Sequence, residues 1–136
     1  MGQIKELDST VRKGAQLLRT MEQDQWWWPQ GSEGKVRLED MTASHRLNLM
    51  RWMKRHAKAI AQTCSWGTLS FPMPNVDTEA YWGLSAALDE EWDLMFSEPW
   101  KWVREQKLTK RLQQLVNEDF ARGGPPTLMR LLEPDF

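Results

Sequence analysis

Hydrophobic positions in the first part of the chain recur three and four apart, at Ile4, Leu7, Val11, Gly14, Leu18 and Met21, a spacing that gathers side chains onto one stripe of a helix. A helix over residues 3–24 is predicted. The same spacing is a coiled-coil seam of three heptads interrupted by Gly14. Packing against its own chain is the first expectation, and a projecting helix that pairs with a second copy is the alternative.

The period then shortens. Residues 26–28 and 35–39 read as two short strands joined by Pro29-Gln-Gly-Ser-Glu-Gly34, a run of turn formers. In the second strand Val36 and Leu38 point one way while Lys35, Arg37 and Glu39 point the other. Alternation also places Trp26 and Trp28 on one side and Trp27 on the opposite one, so at least one ring meets the wet face, where Arg37 offers a cation–π partner.

Helical spacing returns with Asp40 or Thr42 as cap and runs from Ala43 to Gln62. Leu49, Met50, Met53, Ala57 and Ile60 form its core stripe. Arg51, Lys54, Arg55 and Lys58 make a basic stripe on the far side, and His45, Trp52 and His56 form a column between the two. Residues 63–76, with Pro72, Pro74 and Asn75, are expected to be loop carrying Trp66 and Phe71. Asp77 or Thr78 opens a helix to Phe96 whose apolar stripe is Tyr81, Leu84, Leu88, Trp92 and Met95. Glu79, Asp89, Glu90 and Asp93 cover its other face, where Trp82 also falls.

A last long helix is predicted from Ser97-Glu98-Pro99 to Arg122, with Leu108, Leu112, Leu115 and Val116 inward and Gly123-Gly124 as its stop. Trp100 and Trp102, two residues apart, lie on nearly opposite sides of it. Residues 125–136 add a short apolar turn of Leu128, Met129, Leu131 and Leu132. The expected fold is therefore mainly α, a bundle of about four helices with one short β-hairpin at residues 26–39, built as a single domain over 1–136.

Composition narrows the class. With 136 residues, 40% hydrophobic and 27% charged, the chain is long enough to bury a core without disulfides, and no apolar run reaches bilayer length. No apolar block of secretory type opens it, and Cys64 is the single cysteine, so a cytoplasmic protein with no membrane contact is expected. Net charge is only −1, but it is distributed in blocks: residues 35–63 carry seven basic and two acidic side chains, residues 77–98 seven acidic and none basic.

The candidate chemistry is sparse. His45 and His56 stand roughly 16 Å apart along a helix axis at 1.5 Å per residue, too far to share one ion, and Cys64 lies two turns further on. Asp89 and Asp93 share a face without histidine or a glycine-rich phosphate loop. No metal site, cofactor or catalytic residue is expected, and an enzyme is not the expected class.

The stretch from the tryptophans into the helix resembles a recurring pattern in small proteins of phages and prophages. In that pattern an aromatic residue, a glycine turn and a short apolar strand lead into Asp-Met, then His, then Asn near the start of a helix. The matching residues are Trp27 or Trp28, Gly34, Val36, Leu38, Asp40, Met41, His45 and Asn48, with Arg46 where the pattern tends to have leucine. The resemblance implies a viral or prophage origin and no particular reaction. Physically, Asp40, His45 and Asn48 are suited to a latch, Asp40 meeting free N–H groups of the helix and the other two bonding the hairpin.

Nine tryptophans point in more directions than one small core can receive. The leading expectation is a protein that works by binding a protein partner through Trp26, Trp27, Trp28, Trp82, Asp89, Asp93, Trp100 and Trp102, since indoles dominate interface hot spots and charge orients docking. For a phage-like chain that role suits an inhibitor of a host defence or replication machine. The acidic face could serve there by imitating nucleic acid in a basic channel. The second expectation is nucleic-acid binding by Arg51, Trp52, Lys54, Arg55 and Lys58, and the third a structural protein or homodimer.

Overall fold

A computed structural model describes residues 2–28 and 34–123, with side chains from Leu7 onward. Helix α1 (Gly2–Met21) is followed by strands β1 (Trp26–Trp27) and β2 (Val36–Arg37), then by α2 (Ala43–Arg55), α3 (Ala57–Gly67), α4 (Glu79–Ser97), α5 (Pro99–Arg104) and α6 (Lys107–Ala121). The strands pair antiparallel, Trp26 opposite Arg37 and Trp27 opposite Val36. The mainly helical fold with one short hairpin is the one that the hydrophobic spacing predicts. The tail turn at 125–136, most of the turn after Trp28 and the side chain of Ile4 lie outside the described residues.

Two predicted helices are each divided. His56 ends α2: its φ of −106° and ψ of 17° leave the helical region, and its N–H and its ring Nδ1 both meet the Trp52 carbonyl oxygen, at 2.9 and 3.0 Å. The helix restarts at Ala57 and continues to Gly67, so Trp66 sits on α3 and not in a loop. The last helix breaks between Arg104 and Lys107, where Gln106 takes an extended backbone and caps α6. Beyond α6, Gly123 adopts φ +82°, the left-handed region that glycine enters without a Cβ penalty, and its N–H closes on the Phe120 carbonyl.

The chain forms two compact units. The first draws on residues up to 19 and on 57–103; the second on 20–56 and on residues from 104 onward. In the first, Leu18, Ile60, Ala61, Cys64, Met95, Trp102 and Val103 are buried. Gly14 of α1 meets α3 at Gly67 so closely that a Cβ at Gly14 would land on the Thr63 carbonyl oxygen, and one at Gly67 on the Gly14 carbonyl. The Gly14 of the predicted seam is thus where α1 packs within its own chain, while Leu7, earlier on that stripe, is exposed.

In the second unit α2 packs on α6, burying Leu47, Met50 and Met53 with Leu108, Leu112 and Val116. Trp27 and Leu38 join this core from the hairpin side. Thr42 caps α2, its Oγ1 accepting from the His45 N–H at 3.1 Å. A buried fork then ties the segment after β2 to both helices. The Arg46 guanidinium donates to both carboxylate oxygens of Asp119 (2.8 and 2.6 Å) and to the carbonyls of Leu38 (3.0 Å) and Met41 (2.7 Å). The work expected of Asp40, His45 and Asn48 is therefore done by Thr42 and Arg46, and those three side chains are exposed.

Candidate partner-docking site

In the first unit, α4 buries only Met95 completely. It packs on α3, and its predicted stripe of Tyr81, Leu84, Leu88 and Trp92 is half-buried. Asn75 launches α4: its carbonyl accepts from the N–H and hydroxyl of Thr78, whose Oγ1 accepts from the Tyr81 N–H. The 3-10 turn is pinned by a relay in which the Trp92 indole N–H donates to Thr68 Oγ1 at 2.8 Å and that hydroxyl donates to the Ser65 carbonyl at 2.7 Å.

Between turn and helix lies a hollow of about 230 Å³. One wall is Leu69, Phe71 and Met73; the other is Ser85, Asp89 and Trp92, over a floor of Thr68 and Leu88. Several large apolar side chains of this unit reach solvent. Leu69, Val76 and Phe96 are more than half exposed, Trp66 and Met73 somewhat less, and Trp82 is 64% exposed, with the Tyr81 ring edge-on to it at 5.3 Å. Phe96 meets Trp92 edge-on at 6.0 Å.

The polar rim carries one sign. Asp77, Glu79, Asp89, Glu90 and Asp93 are exposed, and among the described residues none of them has a basic partner. Glu98 is held loosely by Lys101 at 3.9 Å, and Glu91 turns inward to accept from the Trp102 indole N–H at 3.1 Å.

The tryptophans expected at a partner surface thus divide. Trp82, Asp89 and Asp93 stand together on α4 in solvent, as predicted from their shared face. Trp102 does not belong there: it is 1% exposed and part of the core. Trp100 is half-buried, its indole N–H enclosed with no hydrogen-bond partner among the described residues. Trp26, Trp27 and Trp28 belong to the second unit. Trp27 is buried, edge-on to Trp52 at 5.8 Å. Trp26 and Trp28 are half-buried on the opposite side of the ribbon, with the Lys35 ammonium 4.1 and 5.4 Å from their ring centres. Lys35, not Arg37, is the cation–π partner, and Arg37 leans towards Glu39 at 3.6 Å.

The basic stripe is also divided. Arg51, Trp52, Lys54 and Arg55 lie on α2 in the second unit, whereas Lys58 lies on α3 in the first. Trp52 is partly exposed, but the His56 ring stacks on it at 4.9 Å. Leu69, Met73 and Val76 lie in the stretch that reads as loop and Phe96 at a helix end, so hydrophobic spacing does not mark them as exposed apolar surface. Among the described residues no three His, Cys, Asp or Glu side chains converge to hold an ion, and no described helix is long and apolar enough to cross a membrane. Comparison with protein-family models, with curated proteins and with solved structures yields no match.

Proposed function

We propose that this protein works by binding a protein partner through the face formed by α4 and the 68–76 segment. Trp82 is the observation that carries the reading. A large ring 64% exposed, on the same unit as the exposed Leu69, Val76 and Phe96, leaves apolar area in water that a partner would remove, at roughly 25 cal/mol per Å². The acidic rim would select the partner and steer its approach. In a chain that resembles small phage proteins, such a face suits an accessory protein that docks on a host machine and blocks it. The test is affinity capture from host extract with the wild-type chain and with Trp82→Ala plus Phe96→Ser. A protein retained by the first and lost by the second supports the reading; equal retention by both, or no specific protein on either, removes it.

A second reading rests on the partial exposure of Trp52 beside Arg51 and Arg55. These groups suit phosphate contact and base stacking, with one indole face already taken by His56. Salt-sensitive binding to single-stranded nucleic acid that vanishes on Arg51→Glu with Arg55→Glu would favour it.

A further inference from the structure

Trp82, Ser85, Asp89, Trp92 and Phe96 follow one another at intervals of three, four, three and four, the spacing of a seam that receives another helix. Three of the five, Ser85, Asp89 and Trp92, form the α4 wall of the hollow, and the exposed Trp82 and Phe96 lie about one turn before and after them on the helix. Those two rings are fourteen residues apart, about 21 Å along the helix at 1.5 Å per residue, or roughly four turns. A helix face of that length, with an exposed ring at each end and Asp89 between them beside the hollow, matches the reach of an amphipathic helix laid along it.

The geometry points to a cationic amphipathic helix of a partner protein as the occupant of this face. This inference rests on the partner-binding reading above and names the partner's chemistry. The occupant's apolar residues, at matching three- and four-residue intervals, pack against Trp82, Trp92 and Phe96 and enter the hollow beside Leu69 and Met73. Its lysines or arginines meet Asp89 and Asp93. The charge of the rim decides against the other occupants. A symmetric dimer built on α4 would set this acidic helix against its own copy, a like-charge juxtaposition that disfavours pairing. Phosphate backbones and anionic lipid surfaces are repelled by the same carboxylates.

The test uses the full chain and three fluorescent helical peptides of about 18 residues. One carries leucine and phenylalanine at the seam interval with lysine on its flanks, the second has the same composition scrambled, and the third has glutamate in place of lysine. The seam peptide is expected to bind in a salt-sensitive manner, about tenfold or more tighter than the scrambled one, while the glutamate peptide fails. Trp82→Ala weakens it about tenfold. Asp89→Lys with Asp93→Lys inverts the preference towards the glutamate peptide. Equal binding of seam and scrambled peptides, indifference to the charge reversal, or sedimentation showing a dimer dispersed by Trp82→Ala would each overturn the inference. If no peptide binds while Trp82-dependent capture from extract persists, the cationic helix is wrong and the partner-binding reading stands. If that capture is also absent, both fall.

Discussion

Arg46 and Asp119, seventy-three residues apart, meet as a buried bidentate pair with donor–acceptor distances of 2.8 and 2.6 Å, joining α2 to α6. The remaining guanidinium donors turn back to the Leu38 and Met41 carbonyls, so one side chain fixes both the helix pair and the chain leading into it.

Removing one partner leaves the other charge buried. Arg46→Leu is expected to cost about 3–5 kcal/mol, measured by urea unfolding, because the Asp119 carboxylate then has no counterion. Adding Asp119→Leu should recover much of that loss, since an apolar pair can replace a buried ion pair. A shortfall of about 1–3 kcal/mol should persist, reflecting the orphaned Met41 carbonyl. The pair also bears on alkaline stability. The hydrogen bond and charge of Asp119 raise the Arg46 pKa above its ordinary value, against burial, which lowers it. A raised folded-state pKa contributes stability that is lost only as pH climbs through the guanidinium range, so Arg46 should give no loss between neutral pH and about pH 10.

The Gly14–Gly67 crossing makes a different prediction. A Cβ at either glycine meets backbone atoms of the other helix, which cannot rotate away as a side chain would. Gly67 has φ −63° and ψ −27°, an ordinary helical conformation, so alanine there should gain local helix propensity and still destabilise. Gly67→Ala is expected to cost about 1–3 kcal/mol, read as a lowered urea midpoint at unchanged slope. A neutral result would mean that α1 does not approach α3 as described.

Two tryptophans of the same protein should respond in opposite ways. Trp102 is enclosed and its N–H donates to Glu91, so Trp102→Ala should cost about 3–5 kcal/mol. Trp82 is 64% exposed, and Trp82→Ala should stay within about 0.5 kcal/mol. Parallel thermal melts check the contrast. A loss of the Trp102 kind at Trp82 would move that ring from the docking face to the core.

These residues also mark how much of the protein was legible in its sequence. The stripe of Leu49, Met50, Met53, Ala57 and Ile60 is buried as its spacing predicts, because period alone decides which residues share a face. The break at His56 was hidden for the same reason: apolar spacing runs on through a single non-helical residue. Strand alternation separated Trp27 from Trp26 and Trp28, but the choice of inner side belongs to the partner core of α2 and α6, which no local pattern reveals. Trp82 was legible because acids surround it on its helix face. The hollow beside it was not, since its second wall, Leu69 to Met73, reads as loop and becomes a wall only when Trp92 and Thr68 bond across 24 positions.

Cys64 offers a probe of the first unit. It is fully buried on α3, one turn after the buried Ile60 and Ala61 and one turn before the Gly67 crossing. A buried thiol reacts only when its surroundings open, so modification by a chromogenic disulfide should be slow in the native protein and fast in denaturant. Where opening is fast relative to labelling, the rate follows the free energy of opening, and each 1.4 kcal/mol changes it about tenfold. Gly67→Ala weakens the contact that holds α1 over α3, and should therefore speed labelling roughly 5- to 150-fold, matching its cost of about 1–3 kcal/mol. Trp82→Ala, on the exposed side of α4, should leave the rate unchanged. Acceleration by Trp82→Ala as large as that by Gly67→Ala would show that the α4 face is part of what keeps the core of this unit closed, and would withdraw Trp82 from the role of a ring held ready for a partner.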